Sequence, residues 1–164
     1  MDFMEPNKDS PAFIANARRG FLFEKYVVDH FDPTYFTLLE WRGDKCGDFL
    51  KPVSSKNPDL ILSYGEGRQN CFAVECKYRS FIEAEFIFKP EHLDNYFLFL
   101  EKTMIPVFIV IGLYGKPESP EGEFIVPLDD LAKDRAMPER RLEKYLRSTG
   151  RTKFFWDTEQ RILK

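Results

Sequence analysis

The sequence is poor in cysteine and histidine, the residues that build disulfide frameworks and structural zinc sites. Only three cysteines and two histidines occur in 164 residues. Cys46, Cys71 and Cys76 form no C-x-x-C pair, and an odd number of cysteines favours free thiols in a reducing compartment. Two histidines do not supply a structural zinc site of the common kinds. The counts therefore argue against a disulfide scaffold and against a zinc-dependent fold.

Long apolar segments are missing as well. No run approaches the roughly 18–20 residues that span a bilayer, and the longest candidate, Val107 to Leu113, is typical of a buried strand. The N-terminal segment MDFMEPNKDSP is acidic and polar, which is not the pattern of a signal peptide. We therefore expect a cytoplasmic protein.

Apolar and aromatic residues are abundant enough for a folded core. They account for 43% and 16% of the chain, and the aromatic residues include 17 phenylalanines. These values are those of a folded globule and not of a disordered tail. At this length the chain is expected to form one domain, residues 1–164, with a core over about 10–131 and a basic helical extension over about 132–164.

Excess charge of one sign is also lacking, but the charges are unevenly distributed. Between Lys133 and Lys153 eight basic residues stand against three acidic ones, so this segment carries +5. Because the whole chain carries −3, the remainder carries −8. A basic segment on an acidic body suits a surface that binds a nucleic-acid backbone. A solvated helix of mixed charge explains the same pattern.

Strand and helix patterns alternate along the chain. Ser10-Pro11 is a helix-start signal, and Asp32-Pro33 predicts the end of that helix near Phe31. Further strands are predicted at 35–42, 59–64, 71–78, 106–113, 123–126 and 153–157, and further helices at 90–103, 128–135 and 138–147. This order predicts a mixed α/β domain with a central mixed β-sheet flanked by helices.

The strand Cys71 to Tyr78 places an acid and a lysine on the same side. Side chains alternate along a strand, so Phe72, Val74 and Cys76 share one face, which is predicted to be core. Glu75 and Lys77 lie on the other face. This pair has two interpretations, a surface ion pair on a wet face or part of a reactive site.

Asp59 opens the preceding strand, directly after a proline. If the two strands pair as a hairpin, Asp59 approaches Glu75. Two close carboxylates repel each other unless a cation lies between them, and Mg²⁺ prefers oxygen ligands. A turn or capping aspartate after proline is the alternative interpretation.

Glu24 lies on the apolar face predicted for the first helix, among Phe21, Val28 and Phe31. A partly buried carboxylate is costly without a partner, which a metal ion or a lysine would provide. Alternatively, Glu24 lies at the edge of that face and pairs with Lys25 or Arg18.

The order of these residues resembles the PD-(D/E)XK nuclease superfamily. An acid on an N-terminal helix, Glu24, is followed by Pro58-Asp59 and then by E-x-K at Glu75 to Lys77. Within the superfamily the chain looks most like the archaeal-type Holliday junction resolvases. Arg19-Gly20 before Glu24 and Ser54-Ser55 before Pro58 resemble features of those enzymes, and His92 and Tyr96 stand where a Q-x-x-x-Y motif often occurs.

The resemblance covers roughly residues 18–131 and implies a restriction endonuclease-like core. It implies Glu24, Asp59 and Glu75 as ligands of Mg²⁺ or Mn²⁺, and Lys77 as the residue that handles the attacking water. The predicted partner is nucleic acid, most of all DNA, and an enzyme that cuts two strands would need a homodimer. The residues predicted to contact nucleic acid are Arg19, Ser54, Ser55, Lys56, Arg79, His92, Arg140, Arg141 and Lys144. His92 departs from the motif, which has glutamine there, and the tail from Lys133 onward resembles no part of the family.

The predicted function is therefore metal-dependent hydrolysis of DNA phosphodiester bonds. The alternative is a nuclease-fold module that binds nucleic acid or a protein partner without cutting it. The alternating apolar residues of Phe81 to Phe88 suit such an interface, or else simply cover the core as an edge strand. A third possibility, an α/β domain unrelated to nucleic acid, requires Glu75 and Lys77 to be a surface pair.

Overall fold

The computed structural model describes residues 9–42, 56–131, 135–147 and 153–164. The predictions for Ser54 and Ser55 lie outside these residues. None of the helices in the described ranges is long and apolar enough to cross a membrane.

The described elements follow the predicted alternation closely. The helices are α1 (Pro11–Asp29), α2 (Pro90–Thr103) and α3 (Glu139–Leu142). The strands are β1 (Phe36–Trp41), β2 (Leu60–Tyr64), β3 (Cys71–Arg79), β4 (Glu85–Ile87), β5 (Val107–Leu113), β6 (Gly122–Pro127), β7 (Ala136–Pro138), β8 (Trp156–Asp157) and β9 (Ile162–Leu163). Ser10 caps α1 through its side chain, which accepts a hydrogen bond from the backbone N–H of Phe13, and Pro11 follows at the first helical position.

The central sheet has five strands in the order β1-β2-β3-β5-β6. β3 and β5 are parallel, and the other neighbouring pairs are antiparallel. The helix α2 makes the crossover that joins the parallel pair, as parallel strands require. The predicted mixed sheet flanked by helices is therefore confirmed.

Both faces of this sheet are buried. α1 contributes Phe23 and Val27 to one core, which contains Phe72 and Val74 of β3. α2 contributes Leu93 and Tyr96 to the other core, which contains Ala73 of β3 and which we call the α2-side core. The predicted alternation of β3 is correct, but the face that carries Glu75 and Lys77 is covered by α2 instead of facing water.

The segment from Phe81 to Phe88 is mainly a cover of the α2-side core. Ile82, Phe86 and Phe88 are buried in that core, and β4 pairs with β7. Phe81 and Ile87 are exposed. The interpretation as a core cover therefore holds for the three buried residues, whereas Phe81 and Ile87 lie outside the core.

The described residues after residue 127 are less helical than predicted. A single 3-10 turn occupies Leu128–Leu131, and α3 has four residues before another 3-10 turn at Glu143–Tyr145. Ala136–Pro138 forms β7, and the last strand forms a small hairpin of β8 with β9. The helical patterns were overridden here by pairing with β4 and by packing of Met137 and Leu142 into the core.

Arg147 anchors the end of this region to the sheet. Its guanidinium pairs with Glu123, and the exposed side-chain fractions are only 8% and 10%. The Tyr26 hydroxyl donates to the same carboxylate at 2.8 Å. Arg147, one of the eight cations of the basic segment, is thus paired within the fold and is not an exposed positive charge.

We expect Arg147→Ala to destabilise the protein by about 3 kcal/mol, because it leaves Glu123 buried without its cation. At this chain length each kcal/mol lowers Tm by roughly 2–4 °C. Arg135→Ala is the matched control, since Arg135 forms an exposed pair with Asp94 at 3.6 Å and should cost less than about 1 kcal/mol. Thermal unfolding of the two variants tests this, and equal Tm values would contradict it.

Candidate active site

Pairing of β2 with β3 brings Asp59 beside Glu75. Leu60 pairs with Val74 in antiparallel register, so the same register continued by one residue sets Asp59 opposite Glu75. The Asp59 carboxylate accepts a hydrogen bond from the backbone N–H of Cys76 at 2.9 Å. The hairpin predicted from the sequence therefore exists, and it holds Asp59 against the E-x-K segment.

Glu75 and Lys77 form an ion pair inside the protein. Glu75 is only 5% exposed, and the Lys77 ammonium donates a hydrogen bond to its carboxylate. A surface pair on a wet face is therefore the wrong interpretation. Burying an ion pair carries a desolvation cost, so this arrangement is weak evidence for a purely stabilising role.

Tyr96 of α2 completes the surroundings of Lys77. Its hydroxyl oxygen lies 3.4 Å from the Lys77 Nζ, and the ring is buried in the α2-side core. Burial, followed by the negative charge of Glu75, raises the pKa of Tyr96 well above its ordinary value, so its hydroxyl stays protonated. Tyr96 was not among the predicted site residues, although the spacing His92-x-x-x-Tyr96 was the available signal.

Glu24 approaches from α1. Its carboxylate accepts a hydrogen bond from the indole N–H of Trp41 at 3.2 Å, and the Trp41 ring stacks on Phe21. Lys25, one of the two partners considered in the alternative interpretation, pairs instead with Asp29 at 2.7 Å. Trp41 is a neighbour that the sequence did not suggest, since β1 and α1 meet only in the folded chain.

The site concentrates negative charge where water is scarce. Burial, followed by the charges of Glu75 and Glu24, raises the pKa of Asp59 well above its usual range. Burial alone would lower the pKa of Lys77, but the carboxylates of Glu75 and Asp59 outweigh it and the net shift is upward. Lys77 is therefore an ammonium at neutral pH, suited to holding a water molecule or a developing negative charge.

The donor chemistry of the site fits Mg²⁺ better than a softer metal. The acidic side chains offer only oxygen atoms, and Mg²⁺ is usually bound through one or two protein carboxylates. A cation would also relieve the repulsion that raises the pKa of Asp59. In the described ranges, however, no group of three or more acidic, histidine or cysteine side chains is already arranged around one metal position.

A cavity of about 430 Å³ opens beside Lys77, between α1 and α2. We call it the α1–α2 cavity. Three of the residues predicted to contact nucleic acid line it, namely Arg19, Arg79 and His92. Burial, followed by the positive charge of Lys77, lowers the pKa of His92, so its imidazole tends to be neutral.

The other predicted contacts are distributed differently. Lys56 is exposed at the end of the segment before Pro58. Arg140, Arg141 and Lys144 lie on α3 and the turn after it, and none of them lines the α1–α2 cavity. The fold therefore brings together at this cavity the predicted nucleic-acid contacts on α1, β3 and α2. The predicted contacts in the basic segment do not line the cavity.

Comparison with known proteins finds likeness in structure only. No family model matches the chain, and no curated protein matches it. Among solved structures, the chain is similar to Hjc, a Holliday junction resolvase from the archaeal hyperthermophile Archaeoglobus fulgidus, with a TM-score of 0.53. The identity is 14%, and the match covers 79% of this chain and 94% of the resolvase. The likeness shows a restriction endonuclease-like fold.

Proposed function

We propose that this chain is a nuclease of the PD-(D/E)XK type that hydrolyses DNA phosphodiester bonds with a divalent metal ion. One observation carries the proposal: half-buried Asp59, directly before β2, lies beside buried Glu75 of β3, and Lys77 is bonded to Glu75. Two carboxylates held out of bulk water beside a lysine are costly to keep in a fold, which favours a functional reason for them. The likeness to a resolvase fold supports the same activity.

Each residue has a proposed role in this reaction. Asp59, Glu75 and Glu24 would hold Mg²⁺ or Mn²⁺. The bound metal would supply neutralisation of the scissile phosphate and a lower pKa for a coordinated water. Lys77 would orient the attacking water and stabilise negative charge, and Tyr96 would hold the lysine in place.

The DNA backbone would be bound by positively charged and polar side chains on both sides of the site. The proposed residues are Arg19, Ser54, Ser55, Lys56, Arg79, His92, Arg140, Arg141 and Lys144. Because contacts with phosphates release counterions, affinity should fall steeply as salt is raised. Cutting two strands together would require two copies of the site, so we also propose a homodimer, which light scattering would detect.

The direct test is cleavage of a panel of labelled DNAs: supercoiled plasmid, linear duplex, four-way junction and single strands. With Mg²⁺ or Mn²⁺ we expect cleavage of at least one substrate, and none after EDTA is added. The substrate that is cut fastest identifies the type of nuclease. A folded protein that cuts nothing with either metal would contradict the proposal.

A binding module without activity is the second candidate, and one feature of the site favours it. The Lys77 ammonium is bonded to Glu75, and no three of the described acidic side chains are arranged around one metal position. For this function the protein should bind DNA at low salt but show no effect of Mg²⁺ or Mn²⁺ on its Tm. A metal-dependent rise in Tm would instead favour the nuclease.

A further inference from the structure

Gly20 lies in the interior of α1, where glycine is among the least favourable residues for a helix. A Cβ atom added at Gly20 would meet no atom within 4 Å, so packing within the described chain does not require glycine here. Gly112 differs, because a Cβ atom there would lie 2.5 Å from the Phe23 ring. The open surface at Gly20 suits the close approach of a ligand to the helix backbone.

This open surface belongs to the α1–α2 cavity, whose charged side chains are all basic. Four cations line it, and neither aspartate nor glutamate does; they are Arg19, Lys77, Arg79 and Lys89. The Arg79 guanidinium donates to the Tyr78 carbonyl at 2.8 Å and lies 5.4 Å from the Phe86 ring centroid. No carboxylate among the described residues pairs with Arg79, so the cavity is suited to an anionic ligand.

The cavity is also lined by an aromatic and an apolar side chain that are exposed to solvent. Phe81 is 68% exposed and Ile87 is 67% exposed, and both line this cavity instead of the core. Aromatic side chains beside a basic groove are the arrangement that binds unpaired nucleotides, since every base has a face on which to stack. The volume of about 430 Å³ lies in the range of small-ligand pockets.

We propose that the α1–α2 cavity binds one unpaired nucleotide of the DNA substrate. The base stacks on Phe81, the phosphate lies between Arg19 and Arg79, and the sugar–phosphate backbone passes Gly20. This inference rests on the proposed nuclease function, because the cavity shares Lys77 and Tyr96 with the candidate active site. It specifies the substrate class as DNA with an unpaired nucleotide next to the cleavage position, such as a bulge or a gap.

The first test compares a labelled duplex with one bulged nucleotide and the same duplex fully paired. Fluorescence anisotropy in EDTA and low salt measures binding without cleavage. The wild-type protein should bind the bulged duplex about tenfold more tightly, the effect expected from stacking one base. Phe81→Ala should remove that preference, and Phe155→Ala should keep it, since Phe155 is an exposed phenylalanine outside the cavity.

Gly20→Ala separates a ligand role from a structural one. Alanine should raise Tm, because it favours the helix and meets no atom of the chain, yet lower the affinity for the bulged duplex about tenfold. A lower Tm with unchanged affinity would mean a structural role and overturn the inference.

Failure of this inference differs from failure of the proposed function. Equal binding of both duplexes, together with metal-dependent cleavage of the paired one, would contradict nucleotide binding by the cavity and would support the proposed nuclease function. A bulge preference that Phe81→Ala removes, without cleavage in Mg²⁺ or Mn²⁺, would support the cavity and overturn the nuclease. No binding to either duplex at low salt would overturn both.

Discussion

Replacing Lys77 by methionine is expected to lower the rate of DNA cleavage by about 10²–10⁴-fold, the usual contribution of a positioned proton-handling group. Methionine has a similar length and no charge, so it fills the space of the buried stem without offering a hydrogen bond to a water molecule. Affinity for DNA should change far less, because several other cations line the cavity. Single-turnover cleavage and anisotropy on the same substrate separate the two effects.

Two controls keep this result interpretable. Lys25→Met removes a lysine that is bonded only to exposed Asp29 among the described residues, so its cleavage rate should equal that of the wild type. Thermal unfolding of Lys77→Met shows whether the variant is folded, since Glu75 loses its cation in that variant. A folded Lys77→Met protein that cuts at the wild-type rate would exclude Lys77 from the reaction.

Replacing Asp59 by asparagine is expected to abolish cleavage while stabilising the metal-free protein. The amide oxygen can still accept the hydrogen bond from the Cys76 N–H, but the charge that Glu75 and Glu24 repel is gone. In EDTA at neutral pH we expect Tm to rise by roughly 2–4 °C, which corresponds to about 1 kcal/mol at this size. Cleavage should fall by more than about 10²-fold, because a metal ligand is lost.

The pH dependence of stability provides a separate measure of the same group. The pKa of Asp59 is raised above its ordinary value of 3.8 in the folded state, so the folded protein holds that proton more tightly than the unfolded chain. The stabilisation is fully present below pH 3.8 and is lost as pH rises through the raised value. Asp59→Asn should lack this part of the decline, whereas Asp94→Asn, an exposed aspartate, should retain it.

Metal addition should reverse the order of stability. A ligand that binds only the folded state stabilises it, so Mg²⁺ or Mn²⁺ should raise the Tm of the wild type and not that of Asp59→Asn. If Asp59→Asn is no more stable than the wild type in EDTA and gains the same Tm on adding Mg²⁺, Asp59 is not a ligand.

Local signals in the chain were sufficient for most of the central sheet and both long helices. Pro90 and the apolar spacing after it predicted α2 at the bounds that the structure has, and the strands β2, β3, β5 and β6 agree within one residue at either end. These elements form where turn residues, proline and side-chain periodicity agree with each other. After residue 127 the same signals predicted longer helices than the described residues form. The reason is that β7 forms by pairing with β4, which is distant in the sequence, and the local pattern does not reveal this partner.

The candidate site divides in the same way. The order of Glu24, Asp59, Glu75 and Lys77 could be found in the sequence because their spacing resembles a known pattern, and their catalytic roles remain predictions. The surroundings could not be found there. Tyr96 contacts Lys77 from α2, and Trp41 contacts Glu24 from the edge strand β1. Arg147 is largely buried because it forms an ion pair with Glu123.

What the sequence by itself determined was the local structure: which segments form strands and helices, and which side chains share a face of β3. Only the tertiary structure decided that both faces of β3 are covered, so that Glu75 is buried and Lys77 half-buried instead of the two forming a surface pair. The physical reason is that alternation along a strand assigns side chains to faces, whereas burial depends on which helix packs over each face. That packing joins residues far apart in the chain, and no local pattern encodes it.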